Sequence, residues 1–243
     1  MFDFLKKKVL PDGFFQGACD VHCHILPGVD DGFKSFEDSI QALKFLEGKG
    51  VRKMKLTPHF MKEFSDNTKD TIVPKFEEFK NKVASQCNIE LQLAAEHMLD
   101  SGFLDHFERG FLTLDKDKTL VLCETSYMMC DPNYSSMLYE VMLEGYTPVI
   151  AHPERYQYAS KQQYSRWKEK GYMFQLNLLS LTGAYGGPAM EKSHYMLQHD
   201  MYDFVGSDMH RLDNFRKFMP AMKLSSKEME ALNLLCENNA RLF

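Results

Sequence analysis

Ala18-Cys-Asp-Val-His22-Cys-His24-Ile-Leu-Pro-Gly-Val-Asp-Asp-Gly32 is the stretch on which the reading of this chain turns. A short β-rich piece, 18–22, runs into two histidines spaced i, i+2 and then into a loop of Gly, Pro and Asp. Side chains of an extended strand alternate between faces, so His22 and His24 point the same way and Cys23 points the other. Two imidazoles on one face, roughly 6–7 Å apart along the strand, can grip one divalent ion. The loop after them turns the chain and can fold a carboxylate, Asp31 or Asp30, back over the same ion. Ordinary strand-end histidines also come in such pairs, so the weight falls on where the other histidines and acids lie.

Outward from this stretch, β-rich segments alternate with helical ones. Strands are predicted at 18–22, 52–57, 89–95, 119–124, 147–151, 172–177 and 202–207. Ser35-Phe-Glu-Asp38 reads as a capping box opening a helix over 36–49, which Gly50 ends. Val73, Phe76, Phe79 and Val83 have helical spacing within 70–86, with Pro74 near the start. Further helices are expected at 133–143 before Gly145, at 160–170 before Gly171, and at 187–199 with Pro188 in its first turn. A second capping box, Ser225-Ser-Lys-Glu228, opens a last helix that runs to residue 237. Such alternation gives parallel strands with right-handed crossovers. Seven strands suit an α/β fold, a distorted, closed or nearly closed (β/α)7 TIM-like barrel.

The chain has 243 residues, 44% of them hydrophobic, enough for one large domain with a sizeable core. Residues 17–243 are read as that single domain and 1–16 as an N-terminal extension. The net charge of −5, with charges interspersed, argues against a protein that grips duplex nucleic acid. The six cysteines include no Cys-x-x-Cys pair and read as reduced, mostly buried thiols of a cytoplasmic protein. No apolar run approaches the ~20 residues of a membrane span. The start, Met1-Phe-Asp-Phe-Leu-Lys-Lys-Lys8, places charges after a very short apolar piece and reads as a tail, not as a secretory signal.

The informative fact is the placement of ligand-type residues. His22 and His24 end the first strand; His59 follows the second; Glu96 and His97 follow the third; Glu124 ends the fourth; His152 follows the fifth; Asp208 and His210 follow the seventh. In parallel barrels the C-terminal ends of the strands are where active sites are built. Each residue alone has an ordinary structural explanation; six strand ends carrying donors for one kind of ion do not. Four or five imidazoles with the carboxylates of Asp31, Glu96, Glu124 and Asp208 exceed one tetrahedral zinc and suit two or three clustered divalent ions. Mixed N/O ligands without thiolate suit Mn, Fe, Zn or Co. His97 would face away from Glu96 in a continuing strand, and His106, His194 and His199 read as surface residues.

Together, 22–32, Thr-Pro-His (57–59), Ala-Glu-His (95–97), Ala-His-Pro-Glu-Arg-Tyr (151–156), Gln-Leu-Asn-Leu-Leu-Ser-Leu-Thr-Gly-Ala-Tyr-Gly (175–186) and Gly-Ser-Asp-Met-His (206–210) resemble the polymerase-and-histidinol-phosphatase (PHP) superfamily. Within it the match is to bacterial manganese-dependent protein-tyrosine phosphatases of capsule and exopolysaccharide loci, from residue 17 to 243. The resemblance implies that His22, His24, Glu96 and Asp208 hold one metal. It implies that Glu96 bridges to a second shared with Glu124, His59 or Asp31, and that His152 and His210 complete the cluster. Arg155 matches a family arginine that binds substrate phosphate. A second arginine follows Asp-x-His in the family, where Arg211 and Arg216 compete and spacing favours Arg216. His59, His210 and a metal-bound water are the candidates to supply a proton to the leaving group.

The implied activity is hydrolysis of phosphotyrosine by water that the metals activate. The implied substrate is the tyrosine-rich tail of a bacterial tyrosine kinase that controls polysaccharide synthesis, in the cytoplasm or at the inner face of the membrane. None of the six cysteines has an arginine six positions on, and there is no Gly-x-Ser-x-Gly or Gly-x4-Gly-Lys-Ser/Thr motif, so thiol, serine and nucleotide-driven chemistries are disfavoured. Asn177, Tyr127, Tyr134, Tyr156 and Tyr185 are candidates for the mouth. The competing readings are a PHP-type phosphatase of small phosphoesters such as histidinol phosphate, an inactive binding domain, and a nuclease.

Overall fold

Residues 7–243 are described by a computed structural model; the first six residues of the expected N-terminal extension lie outside the described residues. Beyond them a two-residue strand, β1 (Lys8–Val9), leads to β2 (Cys19–Asp20). The Ser35 cap works as its sequence suggests: its hydroxyl accepts the Asp38 N–H and starts α1 (Phe36–Lys49), and Gly50, at φ 103°, ends it. The predicted strand 52–57 is β3 (Lys53–Leu56); past Thr57-Pro58, where proline has no N–H to give a ladder, an unpredicted two-residue strand, β4 (His59–Phe60), follows. Then comes α2 (Lys69–Val83), capped reciprocally by Thr68 and Thr71. Pro74 lies inside this helix, not near its start, and the buried stripe is Ile72, Phe76, Phe79 and Val83, with Val73 facing outward.

The expected strand 89–95 is β5 (Glu90–Leu93), and it too is followed by an unpredicted short strand, β6 (Glu96–Met98). A short helix, α3 (Phe103–Glu108), follows; six residues are too few to leave a periodic signal in the sequence. After it come β7 (Leu120–Glu124), α4 (Tyr134–Leu143), β8 (Thr147–Ala151), α5 (Lys161–Glu169), β9 (Met173–Asn177), α6 (Gly187–Gln198) and β10 (Phe204–Gly206). The chain closes with α7 (Leu212–Phe218), β11 (Lys223–Leu224) and α8 (Ser226–Ala240); the last runs three residues past its expected end and carries the predicted Ser225–Glu228 capping box.

The architecture is mixed α/β with curled parallel sheets. Six parallel strands run in the order β10-β9-β8-β7-β6-β4 and three in the order β2-β3-β5. A parallel bridge joins Cys23 to Met209 beyond the ends of β2 and β10. Gly206 permits that approach, since a Cβ there would lie 2.5 Å from the His22 Cβ. β1 pairs antiparallel with β11 and stitches residues of the N-terminal segment to the body of the domain.

Strand alternation sorts the core into two parts. Val121, Cys123, Ile150, Phe174 and Leu176 face the helices, where Trp167 and Tyr164 of α5 pack on Phe174. The opposite face of the same strands, with Leu122, Val149, Ala151 and Phe204, forms a small separate cluster with Val21, Ala94, Leu114 and Leu242. Near the C-terminal ends of the strands this second face turns polar, with Glu124 on β7 and Gln175 and Asn177 on β9, all buried. All six cysteines are free, four of them buried. No helix among the described residues is long and apolar enough to cross a membrane.

Candidate metal centre

The polar layer is built from strand ends. His22 and His24 project to one side after β2, while the Cys23 side chain is fully buried in the apolar core. Asp30 is the residue of the loop that returns: its carboxylate accepts the His24 Nδ1–H at 2.9 Å and the backbone N–H groups of Gly32 and His59. Gly32 makes the return possible, because a Cβ there would lie 2.6 Å from the His24 Cβ. His59 begins β4 and Glu96 begins β6, so each of these two short strands sets a ligand at the rim. His152 and Asp208 have positive φ, 32° and 48°, uncommon for residues with a Cβ and found where function over-determines the backbone.

The candidate ligands converge. Glu96 Oε2 lies 3.2 Å from His22 Nε2, 3.2 Å from His24 Nε2 and 3.2 Å from His59 Nδ1. Glu96 Oε1 lies 3.2 Å from His152 Nε2. Asp208 Oδ1 is 3.5 Å from His22 and His24 Nε2 and 3.3 Å from His210 Nδ1. Glu124 reaches His59 Nδ1 at 3.7 Å and His152 Nε2 at 3.6 Å. Asp31 Oδ1 reaches His59 and His210 Nε2 at 3.4 and 3.3 Å. Four overlapping groups result: His24, Asp31, His59 and His210; His22, His24 and Glu96; His22, His152 and Asp208; and His59, Glu96 and Glu124.

The hydrogen bonds around the cluster test whether a cation fits. His22 Nδ1 faces Gln175 Oε1 at 2.8 Å, with the Gln175 amide nitrogen committed to the Leu176 carbonyl. His24 Nδ1 faces Asp30. Both outer nitrogens therefore act as donors, and both Nε2 atoms present lone pairs to each other at 3.1 Å. Neutral in those tautomers, the two rings turn lone pairs towards two carboxylate oxygens, an arrangement that a proton or a cation has to make favourable. Glu96 Oε2, Glu124 Oε2, Asp208 Oδ1 and His59 Nδ1 are buried without a hydrogen-bond partner. Positive charge is what such a set lacks, and a divalent cation supplies it.

The same carboxylates favour protons on the imidazoles, positive charge that a bound cation would displace. Burial disfavours a charged His22, but Glu96 and Asp208 outweigh it and hold its pKa up to about 9. His59, buried but bonded to Asp31 and facing Glu96, is held up to about 10. Burial and the adjacent Glu96 push Glu124 up to about 7. His152, buried and beside Arg155, is pushed down to about 4 and stays neutral, as a ligand must.

Next to the cluster is a cavity of about 260 Å³ whose lining includes Asp31, His59, Tyr127, Arg155, Tyr185, Asp208, His210 and Arg211. Arg155 Nη1 donates to Asp208 Oδ2 at 2.6 Å, and Asn177 Nδ2 donates to the same oxygen at 2.7 Å. Glu154 is buried between the layers, accepting the Asn177 N–H and the Tyr202 hydroxyl. Arg216 does not reach this cavity. Residue 216 lies one turn into α7, where its side chain pairs with Asp213 at 3.8 Å and rests over the Phe45 ring, whereas Arg211, the residue before the helix, stays at the rim. Spacing along the chain favours Arg216; the helix start reverses that preference.

His97 faces away from the cluster, between Phe60 and Phe111. His106 is buried near Phe60, contrary to its reading as a surface residue, and His194 is half-buried against Glu228. Tyr156 is a core residue. Asp30, Gln175 and Glu154 carry supporting roles that spacing does not signal, since each acts on a partner distant in sequence or on a backbone group. Buried polar residues on the strand face that bears the ligands are the trace they leave.

The family model for capsular polysaccharide synthesis, CpsB/CapC, matches residues 18–242. The chain is 29% identical to the tyrosine-protein phosphatase YwqE of Bacillus subtilis over 202 residues, 79% of this chain and 77% of that protein. It is 29% identical to the tyrosine-protein phosphatase CpsB of Streptococcus pneumoniae over 211 residues, 82% of this chain and 86% of the other. A solved structure from work on YwqE and CpsB, there called metal-dependent tyrosine phosphatases, superposes with a TM-score of 0.77 at 25% identity, covering 92% of this chain and 93% of that one. A TatD-family hydrolase of Entamoeba histolytica shares the fold, with a TM-score of 0.56 at 11% identity over 94% and 98% of the two chains.

Proposed function

The chain belongs to the CpsB/CapC family of capsular polysaccharide synthesis, and on that premise we propose that it is a metal-dependent protein-tyrosine phosphatase. One observation carries the reading: Glu96 Oε2 and Asp208 Oδ1, buried and unpartnered, stand among imidazole nitrogens beside the cavity that Arg155 lines.

His22, His24, Asp31, His59, Glu96, Glu124, His152, Asp208 and His210 would hold the metals. Nine donors are too many for one tetrahedral ion and would suit two or three, and Glu96 belongs to two of the candidate groups. Manganese is the ion we assign from the family resemblance, with iron, zinc and cobalt compatible with the same donors. Bound there, divalent cations act as Lewis acids that acidify water and neutralise phosphoryl oxygens.

The protein's own groups do the rest. Asp30 and Gln175 fix the rings of His24 and His22 through their far nitrogens, which aims the Nε2 lone pairs. Arg155 and Asn177 occupy one oxygen of Asp208 and leave the other for a cation. The free N–H groups of Arg155 bind the non-bridging oxygens of the phosphoryl group. Phenolate, with a pKa of about 10, leaves with less protonation than an alkoxide needs. His210, the most exposed of the imidazole ligands, and His59 line the cavity and are placed to hand over such a proton.

We further infer that β3 with β4, and β5 with β6, are single barrel strands interrupted at their breaks. Counted so, the fold is a seven-stranded distorted barrel comprising residues 17–243, and residues 1–16 are an extension. The substrate would be a phosphotyrosine tail of a bacterial tyrosine kinase, met in the cytoplasm at the inner membrane face. Turnover of a phosphotyrosine peptide by purified protein, with manganese and then with chelator, tests the reading. Activity should vanish on chelation and return with the metal; turnover indifferent to chelation rejects it. Faster hydrolysis of histidinol phosphate than of any phosphotyrosine peptide would transfer the site to small phosphoesters.

A further inference from the structure

Two tyrosine rings lie against the guanidinium of Arg155. Its Cζ lies 4.2 Å from the centroid of the Tyr127 ring and 4.1 Å from that of Tyr185. The two tyrosines come from separate segments, one just after β7 and one between β9 and α6, and both line the cavity beside the metal cluster. One N–H edge of Arg155 is already committed to Asp208.

Resting on the phosphatase reading, we propose that Tyr127 and Tyr185 are positioning residues, a two-sided aromatic slot that holds Arg155 so that substrate phosphate can meet it only edge-on. The physical basis is the shape of the group. Guanidinium is planar, its N–H donors lie in the plane, and its two faces attract ring quadrupoles. With a ring on each face, approach from above or below is closed, and the remaining in-plane donors point where a phosphoryl oxygen can accept them. An arginine on a free stem has to lose its rotamer freedom as the substrate binds; one already flanked by two rings and tied to Asp208 has lost it beforehand. The slot also keeps Arg155 from folding over the Asp208 oxygen that faces the histidines. A lysine ammonium is a point charge without flat faces and gains little from such a slot.

The test uses Tyr127→Leu and Tyr185→Leu, with Tyr127→Phe and Tyr185→Phe as conservative counterparts, each made in the wild-type and Arg155→Ala backgrounds. Metal content, KM and kcat on a phosphotyrosine peptide, and the inhibition constant of inorganic phosphate are measured for all of them. Each leucine variant should weaken phosphate inhibition and raise KM by about fivefold to thirtyfold at unchanged metal content, with a smaller change in kcat. Phenylalanine should rescue most of that loss, and in the Arg155→Ala background leucine should add nothing further. Arg155→Lys, which disturbs neither ring, should lose phosphate affinity as the leucine variants do, and so tests the slot should those variants fail to fold. Equal leucine effects with and without Arg155 would overturn the proposal and place the rings on the substrate instead. Unchanged phosphate inhibition in the leucine variants, or phenylalanine variants as impaired as leucine, would overturn it too. A wild-type protein inert towards phosphotyrosine under every metal would sink the phosphatase reading; a fully active one with indifferent ring variants would sink the slot alone.

Discussion

Two buried glutamates in this molecule each face histidine, and they differ in one respect. Glu228, at the start of α8, accepts His194 Nδ1 and Gln198 Nε2 on one oxygen and the Ser225 N–H on the other. Glu96, at the start of β6, has three imidazole nitrogens 3.2 Å from one oxygen, and that oxygen has no hydrogen-bond partner. The first carboxylate is satisfied by the chain itself and fastens α6 to α8. The second meets His152 Nε2 through Oε1, while Oε2 is satisfied by nothing the chain provides. Burial and a histidine neighbour are common to both; an unmet demand for positive charge belongs to one of them, and it marks the site.

The largest expected effect breaks the comparison at its functional end. Glu96→Gln removes the charge that gathers the cations, so bound metal should fall and phosphotyrosine turnover should drop by more than the roughly 10–100-fold typical of outer-sphere changes. Glu228→Gln should stay within about twofold of wild-type activity, because its network is closed on itself. Kinetics with metal analysis on both proteins decides this, and equal losses would erase the distinction drawn here.

Metal removal sharpens it next. A ligand present at a hundredfold over its dissociation constant stabilises the folded state by about 2.7 kcal/mol. For a chain of this size that corresponds to roughly 5–10 °C in Tm. Chelator should lower the Tm of the wild type and of Glu228→Gln by that amount and leave Glu96→Gln nearly unmoved. A melt of Glu96→Gln as sensitive to chelator as the wild type would show that the cations sit elsewhere.

A third measurement reads the structural end. Glu228→Ala deletes the reciprocal cap of α8 and strands the donors of His194 and Gln198, for a loss of about 1–3 kcal/mol. Urea unfolding with chelator present reports it free of metal linkage. A loss below a few tenths of a kcal/mol would mean that water replaces the carboxylate without cost.

How much of this could be read before the fold was known depends on how local each signal is. Capping at Ser35 and Ser225 is settled within four residues, so α1 appears where expected and α8 starts there. The ligands were legible because a strand end is a local feature and because a barrel brings all such ends to one rim. The short strands β4 and β6 beyond Thr57-Pro58 and Ala94-Ala95 are not legible, since two or three residues leave no alternation to read. Arg216 was favoured over Arg211 by counting residues, yet the start of α7 decides which side chain stays at the cavity. Gln175 acts on His22 across 153 positions, a pairing that only the parallel register supplies.

The smallest effect is one of pH, and its sign sets Glu228 apart from Glu124, a third buried glutamate that belongs to the metal centre. Burial alone would push Glu228 up, but the donors His194, Ser225 and Gln198 outweigh it and hold the carboxyl down to about 2. In the unfolded chain a glutamate titrates near 4.3. A pKa lowered by folding contributes stability that is complete above the unfolded value and disappears as pH falls through the folded one. The stability difference between wild type and Glu228→Gln, measured in chelator, should therefore be full above about pH 5 and shrink steadily towards pH 2. The groups that face Glu228 are His194 and Gln198 from α6 and the Ser225 cap of its own helix, with Lys7 touching the far nitrogen of His194. Glu124 is raised by burial and by Glu96, the opposite direction, so the metal-free centre holds a proton there where Glu228 has released one. A difference that grew as the pH fell would mean that Glu228 is the strained carboxylate of the two, and the distinction between a closed network and an open site would have to be abandoned.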